Sequence, residues 1–131
     1  MEGDILKGHL DMIVLAALAA GPAHGYAIIQ EIHQRSRGEF ALAEGTVYPV
    51  LHRLEEQGLL GSRWTQAPSG RQRRVYALTR RGVKALAEHR AVWRRFAKAV
   101  GGLLDPSEPR ASRPDLSRVA RSPIIVDDPA R

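Results

Sequence analysis

Arg63, Arg71, Arg73, Arg74, Arg80 and Arg81 lie between Ser62 and Gly82 with no acidic residue among them. Such a run suits phosphate binding, because each guanidinium presents a planar fork of donors and displaces counterions condensed on a polyanion. The plainer alternative is a solvated strand edge kept from aggregating by charge, and strand alternation forbids all six from facing one way. Arg71 and Arg73 are the favoured phosphate ligands, ahead of Arg74 and Arg63, with Gly70 beside them in the turn. A second group sits just upstream. Val47, Val50, Leu51 and Leu54 recur at i, i+3, i+4 and i+7, which turns Thr46, Pro49, His52 and Arg53 outward and leaves Tyr48 on the flank. Outward Thr, His and Arg can donate to base edges or phosphates. Otherwise His52 and Arg53 merely solvate a surface and Tyr48 packs as partial core. Tyr26 has the same two readings, a backbone contact or a packing residue.

Other chemistries find no support. The chain has no cysteine, hence no disulfide, thiolate nucleophile or Cys-ligated zinc, and a reducing cytoplasm suits it. His9, His24, His33, His52 and His89 show no paired metal-ligand spacing. No HExxH, nucleophile elbow or glycine-rich loop followed by Lys and Ser or Thr is present. No catalytic residues, metal or cofactor are expected.

The elements that would carry these residues follow from periodicity and punctuation. Helix 1 is expected from Lys7 to Ala20 and stops at Gly21-Pro22; helix 2 runs from about His24 to Ser36, closing near Gly38. Helix 3 runs from about Gly45 to Gln57, since Pro49 is tolerated only in a first turn. Gly58 and Leu59 then close it as a Schellman cap. Leu60 to Gln66 and Arg71 to Leu78 read as two strands joined by Ala67-Pro68-Ser69-Gly70. Thr79 is expected to cap a long helix 4 from Arg80 to Leu104, on which Leu86, Trp93, Phe96, Val100 and Leu103 form an apolar stripe. That stripe is a dimer seam or additional core.

With 131 residues the chain has room for about one domain, and 20 Lys and Arg against 14 Asp and Glu give a net charge of +6 that favours polyanionic partners. The apolar run Met12 to Ala20 is too short to span a bilayer and follows Glu2, Asp4 and Asp11 rather than basic residues, so it reads as a core helix, with no membrane role. Five prolines after Asp105 mark a tail expected to be disordered, with Ile124-Ile125-Val126 its one adhesive spot. The organisation is therefore 1–79 as a winged helix-turn-helix domain, 80–104 as a dimerisation helix and 105–131 as a tail. The fold class is mainly α with a small β-ribbon.

Several short strings sharpen this. His24-Gly25-Tyr26 opens helix 2, Gly45-Thr46-Val47-Tyr48-Pro49 opens helix 3, and Leu51-His52-Arg53-Leu54-Glu55 with Gly58-Leu59 closes it. With Trp64, Gly70-Arg71, Val75-Tyr76 and Leu78-Thr79 in order, the chain from about Leu6 to Leu104 resembles the PadR family of bacterial transcription regulators. The resemblance implies a homodimeric repressor that binds double-stranded DNA at a two-fold operator and pairs through helix 4. It also implies release by a small aromatic or hydrophobic effector, stacked on a helix 4 tryptophan at the interface, here Trp93 with Phe96. One departure is Thr79-Arg80-Arg81-Gly82, with Arg where an acidic residue often follows the Thr, so the helix start forgoes a favourable dipole interaction. The alternative is a winged-helix module that binds protein, its basic face incidental.

Overall fold

The computed structural model describes Leu6 and residues 8–105. The expected tail, with Ile124-Ile125-Val126, lies outside the described residues, as does Lys7. Among the described residues from Leu10 onward, four α-helices and three strands follow in the order α1 (Leu10–Ala17), β1 (Ala23–His24), α2 (Gly25–Arg35), α3 (Glu44–Glu56), β2 (Leu60–Gln66), β3 (Gln72–Leu78) and α4 (Arg80–Leu104).

The first helix tightens to a 3-10 turn over Leu18–Ala20 and stops where Gly21 takes φ 143°. Pro22 then holds the chain extended, because its ring excludes the helical region for the residue before it. The sequence reading places His24 in helix 2; the structure instead pairs Ala23 with Tyr76 and His24 with Val75, making a third strand at the edge of an antiparallel sheet ordered β1-β3-β2. Two residues are too few to show a strand period.

The start of α3 also corrects the sequence reading. The helix begins at Glu44, with Ala43 as its N-cap, so Pro49 is inside the helix rather than in its first turn. The missing proline N–H would have bonded the carbonyl of Gly45. Gly45 is exposed, so water can serve that carbonyl and the loss is tolerated. At the other end the expected cap is present: Gly58 adopts φ 81°, the Leu59 N–H donates to the Leu54 carbonyl at 2.9 Å, and the Gly58 N–H donates to the Glu55 carbonyl at 3.0 Å.

Val14, Leu15, Leu18, Ile28, Ile32, Val47, Val50, Leu51 and Leu54 from the three helices close over Leu60 and Tyr76 of the sheet. Leu86 of α4 joins the same cluster and is only 3% exposed. The start of α4 is therefore built into the winged domain. Thr79 fixes it there: its hydroxyl accepts the Gly82 N–H at 3.0 Å and donates to the Gly58 carbonyl at 2.7 Å. Gly82 is required by a close approach, since a Cβ there would stand 2.0 Å from the carbonyl oxygen of Leu59.

Compactness divides the chain into units Met1–Arg95 and Phe96–Arg131. The first holds the helical core and the sheet. The described part of the second is the helical run to Leu104, followed by Asp105.

Candidate nucleic-acid interface

Helix α3 separates two kinds of residue by face. Val47, Val50, Leu51 and Leu54 are buried, while Thr46, Pro49, His52 and Arg53 are exposed. Tyr48 lies between them and is committed to packing: its ring rests on Gly25, where a Cβ would come within 2.5 Å of the ring and hydroxyl. The string His24-Gly25-Tyr26 thus has a steric reason, the seating of α3 on the start of α2. Tyr26, the next residue, is 54% exposed.

Arg53 does not project freely from α3. Its Nη2 reaches Asp11 Oδ1 in the first turn of α1, forming an ion pair that sequence reasoning missed because 42 positions separate the partners. Periodicity identifies which residues face outward but not what they meet there.

The hairpin β2–β3 carries the arginines. Its loop closes with Gly70 N–H to the Ala67 carbonyl at 2.8 Å and Ala67 N–H to the Arg71 carbonyl at 2.7 Å, with Gly70 at φ 92°. This is a three-residue loop with a glycine bulge, and the positive φ is the reason for glycine at that point. Arg71 is exposed at its base.

Register decides the facing of the others. Arg63 pairs with Val75 and Thr65 with Arg73, whereas Trp64 pairs with Arg74 and Ser62 with Tyr76. Because directly opposed residues share a face, Arg63 and Arg73 lie on the side away from buried Tyr76, and Arg74 lies on its side. Arg73 is half-buried, and its Nε finds no hydrogen-bond partner. His24 lies on the same outer face, and its pKa is held below the ordinary 6.5, chiefly by burial and secondarily by the charge of Arg73.

Arg74 serves a different purpose. Its Nε donates to Ser62 Oγ at 2.8 Å, Ser62 Oγ donates to Glu55 Oε2 at 2.6 Å, and Arg74 Nη2 stands 3.4 Å from the same carboxylate oxygen. The guanidinium also lies 5.4 Å from the ring centroid of Trp64. One residue each from α3, β2 and β3 thereby ties the wing to the helix beside it. Beneath them, burial raises the pKa of Tyr76, an effect opposed by the charge of Arg74.

On α4, Leu86 belongs to the chain's own core, which corrects its assignment to a partner-facing stripe. Trp93, Phe96 and Leu103 are exposed, at 43%, 56% and 85%, and Val100 is half-buried. Trp93 meets the ring of His9 edge to face, with centroids 5.7 Å apart and an interplanar angle of 70°. Among the described residues no group of His, Asp or Glu is arranged to hold a metal ion, and no helix is long and apolar enough to cross a membrane.

Three helices, a small antiparallel sheet with a basic hairpin, and a long closing helix define a winged helix-turn-helix protein. Solved structures with this architecture include a PadR family transcriptional regulator from Eggerthella lenta, 35% identical, with a TM-score of 0.67 over 79% of this chain and 88% of that one. A PadR family transcription regulator from Clostridium difficile is 32% identical, with a TM-score of 0.65 over 75% of this chain and all of the other. The transcriptional regulator Rv3488 of Mycobacterium tuberculosis is 40% identical over 89 residues, 68% of this chain and 79% of that protein. The sequence profile of the transcriptional regulator PadR-like family matches residues 14–88. The chain belongs to the PadR-like family: it is a transcriptional regulator and not an enzyme.

Proposed function

We propose that this regulator is a cytoplasmic repressor that binds a two-fold operator in double-stranded DNA as a homodimer. Helix α3 enters the major groove, where Thr46 and His52 read base edges and Pro49 packs against them. Gly70 brings the wing close to the flanking backbone, and Arg71 and Arg73 take phosphates there. Tyr26 adds a backbone contact from the start of α2. Tyr48 acts indirectly by seating α3, and Arg53 is a phosphate ligand when released from Asp11.

The observation that carries this reading is a division of labour between α3 and the hairpin joined to it through Glu55, Ser62 and Arg74. An exposed Thr-Pro-His face on α3 stands beside a hairpin region rich in arginine and empty of carboxylates. The organisation is a DNA-binding domain to residue 79, a dimerisation helix over 80–104 and a tail over 105–131. Trp93, Phe96 and Leu103, with half-buried Val100 on the same stripe, supply the dimer seam, because large exposed apolar side chains recurring along one helix favour a partner of the same kind. A small aromatic or hydrophobic effector would stack on Trp93 and Phe96 and release the repressor.

Anisotropy titration of the DNA upstream of the protein's own gene against random DNA, across a salt series, tests the reading. Replacing Arg71 or Arg73 by Ala is expected to weaken binding to both DNAs and to reduce the salt slope by about one for each phosphate no longer engaged. Replacing Thr46 or His52 by Ala is expected to reduce discrimination by roughly 1–3 kcal/mol for each base edge no longer read. Unchanged salt slopes together with unchanged operator preference would favour the protein-binding alternative.

A further inference from the structure

Arg53 lies on the exposed face of the recognition helix, yet its guanidinium is occupied by a carboxylate of its own chain. Asp11 and Arg53 are 37% and 48% exposed, so the pair is wet and exchangeable rather than locked in the core. A DNA phosphate competes for the same donors with the same charge and similar geometry.

The turn that carries Asp11 has a second attachment. His9 is the N-cap residue of α1, but its side chain makes no capping hydrogen bond; its ring packs against Trp93 of α4 instead. The His9 N–H donates to the Leu6 carbonyl at 2.8 Å, and its own carbonyl accepts the Ile13 N–H at 3.0 Å, so the ring is fastened to the backbone of the same turn. Residues two apart on a helix point to well-separated faces. Here His9 touches α4 and Asp11 touches α3, and the first turn of α1 spans the two contacts.

We infer that Asp11 is a positioning residue that withholds Arg53 from the DNA backbone, and that the first turn of α1 links this pair to the aromatic face of α4. The inference rests on the DNA-binding reading above. Whatever shifts His9 from Trp93, a ring stacked there or a rearranged dimer seam, loosens the turn and releases Arg53. A released Arg53 strengthens backbone binding on every sequence, so it lowers discrimination between operator and random DNA. An effector stacked on Trp93 would then release the operator by competition, because the gain on random DNA draws the repressor away from its specific site.

The test uses the full chain and random duplex DNA, with D11N, D11E, R53Q, H9A and the doubles D11N/R53Q and H9A/D11N. A surface ion pair restrains its partners by a factor of up to about five. D11N should therefore bind random DNA up to about fivefold more tightly per protomer, with a salt slope steeper by about 0.9 for each phosphate newly engaged. D11E, which keeps the carboxylate, should stay near wild type. In the R53Q background D11N should have no effect beyond its change in net charge, and R53Q itself carries that comparison. H9A should move random-DNA affinity in the same direction as D11N and add nothing to it in the double variant.

Melting curves for each variant separate unfolding from rupture of the pair, and D11E provides a folded reference should D11N be unstable. Wild-type affinity for random DNA in D11N, or an equal gain with and without Arg53, would overturn the role of Asp11. An inert H9A would overturn the link to α4. Failure of the wild-type protein to bind any DNA would defeat the reading beneath both, a result distinct from an unaltered variant of a binding protein.

Discussion

Replacing Glu55 by Gln isolates the electrostatic part of the joint between α3 and the wing, because the volume and one acceptor oxygen remain. In the native protein the carboxylate accepts a 2.6 Å hydrogen bond from Ser62 and faces Arg74 at 3.4 Å, with side chains 27% and 40% exposed. Exposure on that scale limits the ion pair to less than about 1 kcal/mol after screening. Exchanging a charged acceptor for a neutral one roughly halves the hydrogen bond, a further loss of about 0.5–1 kcal/mol. The expected destabilisation is about 1–2 kcal/mol, and for a domain of this size each kcal/mol lowers Tm by about 4–8 °C. Only the ion-pair share should fade with added salt. Circular dichroism melts of wild type and E55Q at low and high salt measure both quantities. An E55Q protein that melts with wild type at low salt, or whose deficit does not shrink with salt, would refute this account of the joint. Additive effects of E55Q and R74M would refute it too, since groups in one network should not add.

Two further outcomes follow from other sites. The folded protein holds His24 neutral below the ordinary 6.5 because of burial and Arg73, so the unfolded chain binds the proton first and stability should fall as pH drops below 6.5. H24Q should flatten that part of a Tm-against-pH curve, and an unchanged curve would remove His24 as its source. Gly82→Ala places a Cβ 2.0 Å from the Leu59 carbonyl oxygen, with backbone rather than a yielding side chain in the way, so it should cost about 1–3 kcal/mol or more by denaturant melts even though Ala is the better helix former.

The helices were legible because burial imposes a period. Val47, Val50, Leu51 and Leu54 could face only one way, and Gly58 and Thr79 mark ends through backbone chemistry that is local in sequence. The wing was legible for the same reason: Pro68 to Gly70 is turn chemistry within a few residues. The misses share a different cause. Ala23–His24 forms a strand only because β3 offers it an edge, and Leu86 is core only because α4 starts against the winged domain. Tyr48 is committed by Gly25, which lies more than twenty positions upstream. Each depends on a neighbour that the local pattern does not name.

The polar pairs carry the same dependence into function. Charge made candidates of Arg53, Arg73 and Arg74, with Arg73 ranked ahead of Arg74, but the three have different employment. Arg74 is held by Ser62 and Glu55, Arg53 by Asp11, and of the three Arg73 alone leaves a buried guanidinium nitrogen without a partner. An arginine already paired must surrender a carboxylate before it takes a phosphate, so its net gain on binding is the difference between two similar interactions. An arginine with no carboxylate partner makes no such exchange and keeps more of the new bond. Affinity for the backbone should therefore concentrate at Arg73 and exposed Arg71, while Arg53 contributes only as Asp11 allows. The arginines of highest value to a DNA-binding face are those the fold has left unsatisfied, which composition cannot identify and the pairing of side chains can.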